Sequence, residues 1–207
     1  MDRQKTIKVI IENFKEYLQT EEAKKHLEIM KKEKTEVKDL MDKLSRMDKK
    51  SSEFTDWVLY GLLSYNKKTK FAKRASLFPA FLNIKKFFKK FDYSEDEWNL
   101  IANKIFNLYD KFRNNPDKLS FFIDEFIQDK YSRRLQCGAI SPNLFCLNDS
   151  YPIVNNRTIK TYNKINLILG RIEELSQKLK DYLSNIKKLK EFVSGLGFEL
   201  LENQDYL

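Results

Sequence analysis

Residues 94–116 read SEDEWNLIANKIFNLYDKFRNNP, and this stretch carries a beginning, a buried face and an end. Ser94 followed by Glu97 has the spacing of a capping box, in which each side chain satisfies a backbone N–H that the first helical turn leaves without a partner. Trp98, Ile101, Ile105, Tyr109 and Phe112 recur at three and four residues, the period of one helical face, until Asn-Asn-Pro stops the pattern. No strand alternation competes with it.

The same period runs outward in both directions. Ile7, Ile10, Ile11, Phe14 and Leu18 predict a helix over 4–20. Leu27, Met30, Val37, Leu40, Met41, Leu44 and Met47 predict a solvated packing helix over 21–48, as in a helical hairpin or short coiled coil. Ser52 is positioned to cap a helix with Glu53 and Asp56 in its first turn and Phe54, Trp57, Val58, Gly61, Leu62 and Tyr65 inward. Residues 66–76 read as a basic loop and Leu77–Phe91 as a helix. Beyond Pro116, Leu119, Phe122, Ile123, Phe126 and Ile127 extend a helix to about Arg134. Residues 140–163 form an irregular, Pro/Asn-rich segment whose Ile140, Leu144, Phe145, Leu147, Ile153 and Val154 lock it onto the core. Leu169, Ile172, Leu175, Leu179, Leu183, Ile186 and Leu189 then predict one long helix over 167–193, with Gly195 and Gly197 ending it.

The expected fold is therefore mostly α: a single-domain helical bundle with an N-terminal helical hairpin over 1–50 and a compact helical unit over 51–207. Composition agrees, since 5 Gly and 4 Pro in 207 residues leave too few turns for an all-β chain or for repeated βαβ units. Sixteen Phe, 10 Tyr and 2 Trp supply a core despite 33% charged residues. The longest apolar runs, such as WVLYGLL at 57–63, fall far short of the ~20 residues of a membrane helix. With no signal-peptide pattern at the start, a cytoplasmic location away from membranes is expected. The closing FELLENQDYL carries no terminal signature and reads as the edge of a longer chain.

A net charge of +9 and a pI near 9.3 favour a polyanionic partner. A generally Lys-rich composition would give the same total, so distribution decides. Residues 66–90 contain nine Lys or Arg and no acid, and 131–164 place Tyr131, Arg133, Arg134, Asn155, Asn156, Arg157, Lys160 and Lys164 against the single acid Asp149. Phosphates call for Lys and Arg; base edges call for amides, Arg forks and aromatic faces. Lys67, Lys68, Lys70, Lys73, Arg74, Arg133, Arg134, Arg157 and Lys160 are the expected phosphate contacts. Asn155 and Asn156 are candidates for base edges or else for helix capping, and Tyr131, Tyr151 and Tyr162 for stacking on an extruded base.

Catalytic patterns are missing from the sequence: there is no phosphate-binding glycine loop, HExxH or nucleophile elbow. Asp117, Glu125, Asp129 and Lys130 have the residue types of a metal nuclease, but their spacing suits a helix surface. Cys137 and Cys146 have no CxxC spacing and His26 is distant, so buried thiols are expected rather than a zinc site. No enzyme activity, cofactor or metal is expected of this chain.

Three stretches, SSEFTDWVLYGLL (51–63), RASLFPAFLNIKKFF (74–88) and YSRRLQCGAISPNLFCLNDSYPIVNNRTIKTYN (131–163), together with a weaker LKDYL at 179–183, resemble in order the region preceding the motor domain of McrB-like AAA+ NTPases. The family pattern has Trp where Phe78 stands, Pro where Ser64 stands, and a further Pro where Asp149 and Ser150 stand. What the resemblance implies is a DNA-targeting domain of a modification-dependent restriction system with a role in antiviral defence. Its partners would be double-stranded, possibly modified DNA, a GTPase motor in the same parent chain and a separate nuclease subunit. The rival from another class is a protein–protein interaction or assembly module.

Overall fold

The computed structural model of the protein describes residues 3–63 and 91–195, and among these every regular element is helical. Helix α1 (Arg3–Leu18) turns through Gln19 and Thr20 into the 25-residue α2 (Glu21–Ser45). Thr20 caps α2 by accepting from Ala23 N, Glu21 and Glu22 sit at the positive end of the helix dipole, and Tyr17 Oη meets His26 Nδ1 at 2.8 Å. These are the two helices of the expected hairpin. They contribute unequally to the interior: no described side chain of α1 is buried, whereas Val37, Met41 and Leu44 of α2 are fully buried in the main core.

Helix α3 (Ser52–Asp56) runs directly into a π-helical segment, Trp57–Leu62. Its cap is Ser51, not Ser52: the Ser51 hydroxyl accepts from Phe54 N three residues on, which makes Ser52 the first helical residue. Gly61 lets this segment approach α2, since a Cβ there would lie 2.9 Å from Leu40 Cδ2. Helix α4 (Glu95–Asn114) begins with the capping box expected of Ser94 and Glu97 and buries Trp98, Ile101, Ile105, Tyr109 and Phe112. After a 3-10 turn at Pro116–Lys118, α5 (Leu119–Gln128) ends six residues before the expected boundary at Arg134. There Asp129 turns extended and accepts from Tyr131 N, opening a turn that carries Ser132–Arg134.

Helix α6 (Cys137–Leu147) corrects the reading of 140–163 as irregular, because its C-terminal eight residues occupy 140–147. Only 148–155 lack regular structure. All but Gly138 and Leu147 of α6 are buried, as for a helix apolar on every side. Its polar members are satisfied inside: Ser141 Oγ accepts from Val154 N at 2.9 Å, and Asn143 Nδ2 donates to Leu62 O at 2.9 Å and reaches Tyr109 Oη at 3.3 Å. Ile140, Leu144, Phe145, Ile153 and Val154 are buried, as their pattern predicts.

The long helix expected over 167–193 is two helices, α7 (Asn156–Leu169) and α8 (Tyr182–Gly195). Gly170 closes α7 in the left-handed conformation, φ 72°, which a residue with a side chain adopts only with strain. The following residues form an irregular strap, and asparagine side chains act as its backbone partners. Leu175 N donates to Asn163 Oδ1, Asn166 Nδ2 to Glu173 O, and Asn185 both accepts from Ser176 N and donates to Ser176 O. Leu175 and Leu179 stay buried, while Ile172 is 96% exposed.

Candidate nucleic-acid interface

Lys67, Lys68, Lys70, Lys73 and Arg74, with residues 77–90 of the helix expected over 77–91, lie outside the described residues. Of the remaining candidates, Asn155 and Asn156 lie at a corner where α6 and α7 both begin. A Cβ on Gly138 would sit 3.7 Å from Asn155 Cα; Cys137 N donates to Gln177 O at 3.0 Å; Gln177 Nε2 donates to Asn156 Oδ1 at 3.0 Å. The first turns of two helices and the end of the strap are thereby held together. Both helices point the positive ends of their dipoles here, and Gln136, at the start of α6, makes no side-chain cap.

This corner holds an acid as well as cations, since Asp181 acts on the Cys137 thiol. Arg133, Arg157, Lys160 and Lys178 are exposed and make no ion pair among the described residues. Arg157, Lys160 and Lys164 follow one another at three and four residues along the exposed side of α7, opposite the buried Ile159, Tyr162 and Asn166. Elsewhere some cations are matched: Lys104 with Asp129 at 3.0 Å, Lys111 with Glu125 at 2.6 Å, Lys34 with Asp149 at 3.5 Å, and Arg113 with Asp42 at 2.7 Å and Asp110 at 2.9 Å. Arg134 is engaged in another way, its guanidinium 3.6 Å from the centre of the Phe91 ring.

The candidates for base contacts are held by the fold. Asn155 is the cap of α7, its Oδ1 accepting from Arg157 N at 2.8 Å and Thr158 N at 3.1 Å. Tyr131 donates to Glu97 Oε1 at 2.7 Å, packs edge-on against Tyr93, and has the Lys130 ammonium 4.5 Å from its ring centre. The Glu97 carboxyl is held below its ordinary range, chiefly by the Ser94 backbone N–H and then by Tyr131. Tyr151 donates to Pro116 O at 2.9 Å and packs edge-on against Phe112. Tyr162 is 2% exposed, lies against Phe192 and bonds Glu173 at 3.1 Å. All three tyrosines brace one element against another.

The acids weighed as a nuclease set are spread along the surface: Glu125 and Asp129 pair with separate lysines on α4, and Asp117 is exposed in the 3-10 turn. Among the described residues no group of three or more His, Cys, Asp or Glu is placed to share a metal ion. Cys137 and Cys146 are buried free thiols, Cys137 donating to Lys178 O at 3.2 Å. Among the described residues no helix is long and apolar enough to cross a membrane.

Gln136, Gln177 and Lys178, which complete the corner, were not singled out by the sequence reading. Their proximity depends on the strap, and the strap is the element that the helical period concealed. Comparisons of the chain with family models, curated proteins and solved structures find no match.

Proposed function

We propose that this chain binds double-stranded DNA and serves as the targeting domain of a McrB-like restriction NTPase, bringing a separate motor and nuclease to foreign or modified DNA in the cytoplasm. The observation that carries the reading is the corner where α6 and α7 begin. Arg157, Lys160 and Lys178, exposed and without an ion-pair partner among the described residues, lie on the elements that meet there. Such a surface attracts phosphate through its charge. The ordered resemblance of 51–63, 74–88 and 131–163 to the pre-motor region of that family supplies the restriction context, and the acid-free basic run at 66–90 adds to the charge.

The experiment is a salt titration of labelled duplex binding by the full chain, with methylated and unmethylated cytosine. Binding is expected to weaken with log salt at a slope of about 0.9 per neutralised phosphate. No binding to either duplex at low salt would sink the proposal. The second reading, a protein-assembly module, is favoured by the exposure of Leu167 (77%) and Ile172 (96%) on either side of the Gly170 turn. It predicts self-association or partner capture that Leu167→Ser with Ile172→Ser removes, without any salt-steep DNA binding.

A further inference from the structure

We propose that the strap at 171–178 is the hinge of a second state of this protein, in which the strap turns helical, α7 and α8 run on as one helix, and two copies of the chain exchange their α8 helices. The proposal stands on the fold and is independent of DNA binding. Local preference and structure disagree at the strap. Apolar residues occupy every step, alternately three and four, from Ile165 through Ile172, Leu179 and Ile186 to Val193, which is the heptad spacing of an unbroken helix. Six of the eight strap residues, Arg171, Glu173, Glu174, Leu175, Gln177 and Lys178, are strong helix formers. Glu174 and Lys178 also stand four apart in the order that supports a helix. From Asn156 to Ser194 there is no Pro, and Gly170 is the only Gly.

Yet 171–177 lack regular structure, and their backbone groups are held by Asn163, Asn166, Asn185 and Cys137 from other elements. Tertiary contacts thus hold a helix-forming sequence out of helix, the condition for two competing states. Ile172, a member of the apolar series, is 96% exposed, so the observed state makes no use of it. One chain cannot straighten alone without loss. The Gly170 turn and the strap bring α8 back onto α7, where the Tyr162 and Phe192 rings lie 4.9 Å apart. These residues are 30 positions apart in sequence, about 45 Å along a continuous helix. Straightening therefore strips Tyr182, Ile186, Phe192 and Val193 of the core that buries them. A second copy that straightens in the same way offers the same socket and the same helix. Reciprocal exchange restores the contacts of α8 in both copies and adds helix at both hinges.

The full chain is refolded from urea over a range of protein concentrations as wild type, Gly170→Ala and Glu174→Gly. Monomer and dimer are separated by size-exclusion chromatography with light scattering, and each is followed by hydrogen exchange. Wild type refolded at high concentration is expected to yield a dimer in which peptides covering 171–178 exchange more slowly than in the monomer. Gly170→Ala is expected to raise the dimerisation constant at least about tenfold, since alanine opposes the left-handed turn and favours helix in both copies. Glu174→Gly is expected to lower it at least about fivefold by weakening the hinge helix. It leaves the monomer's strap in place, because the Glu174 side chain is exposed and its carbonyl, which accepts from Lys188, remains. No dimer from wild type, a dimer whose 171–178 exchange as in the monomer, or variants that dimerise as wild type does would each overturn the proposal. The second of these outcomes identifies association through an outer surface instead.

Discussion

Cys137 shows how much a single side chain carries in this fold. Its backbone N–H and thiol hold two consecutive carbonyls of the strap, Gln177 O and Lys178 O, and burial pushes the thiol up to about 12 from 9.0. The folded chain keeps this proton after the unfolded chain has lost it. The contribution is therefore complete below pH 9.0 and is lost as pH rises toward 12, at up to about 1.4 kcal/mol per pH unit. Tyr182, fully buried and donating to Pro152 O at 2.8 Å, is raised in the same sense. Lys49 acts oppositely: burial, partly opposed by Asp110, holds its ammonium below 10.5 while it bonds Leu44 O and lies over the Phe54 and Phe106 rings. Denaturant titrations of wild type and Cys137→Ala from pH 8 to 11 are expected to converge as pH rises, because the variant lacks the alkaline loss due to this thiol. Parallel curves would show that Cys137 does not keep its proton in the fold. At this scale the sequence was legible in residue type but not in direction. Asn143 and Asn155 are the same residue in one punctuated stretch, yet Asn143 is turned inward by a carbonyl 81 positions away and Asn155 by the helix it starts. Ser141 and Asn143, which lie in one of the stretches that carry the family resemblance, are buried fasteners of the fold.

Elements were legible wherever local chemistry decides them. The Ser94–Glu97 box and the Asn-Asn-Pro stop bound α4 as read, because caps act within a few residues. The strap was not legible, since Leu169, Leu175, Leu179 and Ile186 keep a helix-like spacing across a segment whose residues 171–177 lack regular structure. The warning was Gly170 itself, which ends α7 with a backbone that favours glycine. Gly170→Ala is expected to lower stability by about 1–2 kcal/mol, whereas Gly138→Ala, whose Cβ would meet Asn155 Cα at an ordinary 3.7 Å inside α6, is expected to be neutral or stabilising by up to about 1 kcal/mol. Midpoints of urea denaturation check the pair; equal effects would mean that the left-handed turn imposes no constraint. The candidate site followed the same division. The density of Arg and Lys was visible in the sequence, while their lack of acidic partners depends on which elements meet.

Over the whole molecule, α2, α4 and α6 share one apolar interior, which joins the N-terminal arm to the region that carries the proposed interface. Helix α1 stands apart, its described side chains half-buried or exposed. This contrast sets the order in which the protein should open. Amide hydrogens of α6, enclosed on nearly all sides, are expected to exchange with deuterium only when the entire fold opens, and those of α1 through local fraying. Mass spectrometry of peptic fragments spanning 137–147 and 3–18 checks this; exchange in α6 faster than global opening would refute it. If α6 behaves so, it is a built-in gauge. Any polyanion that settles on the corner beside its first turn must slow exchange along its length in proportion to occupancy and affinity, so a buried helix that touches no ligand would report the ligand's presence.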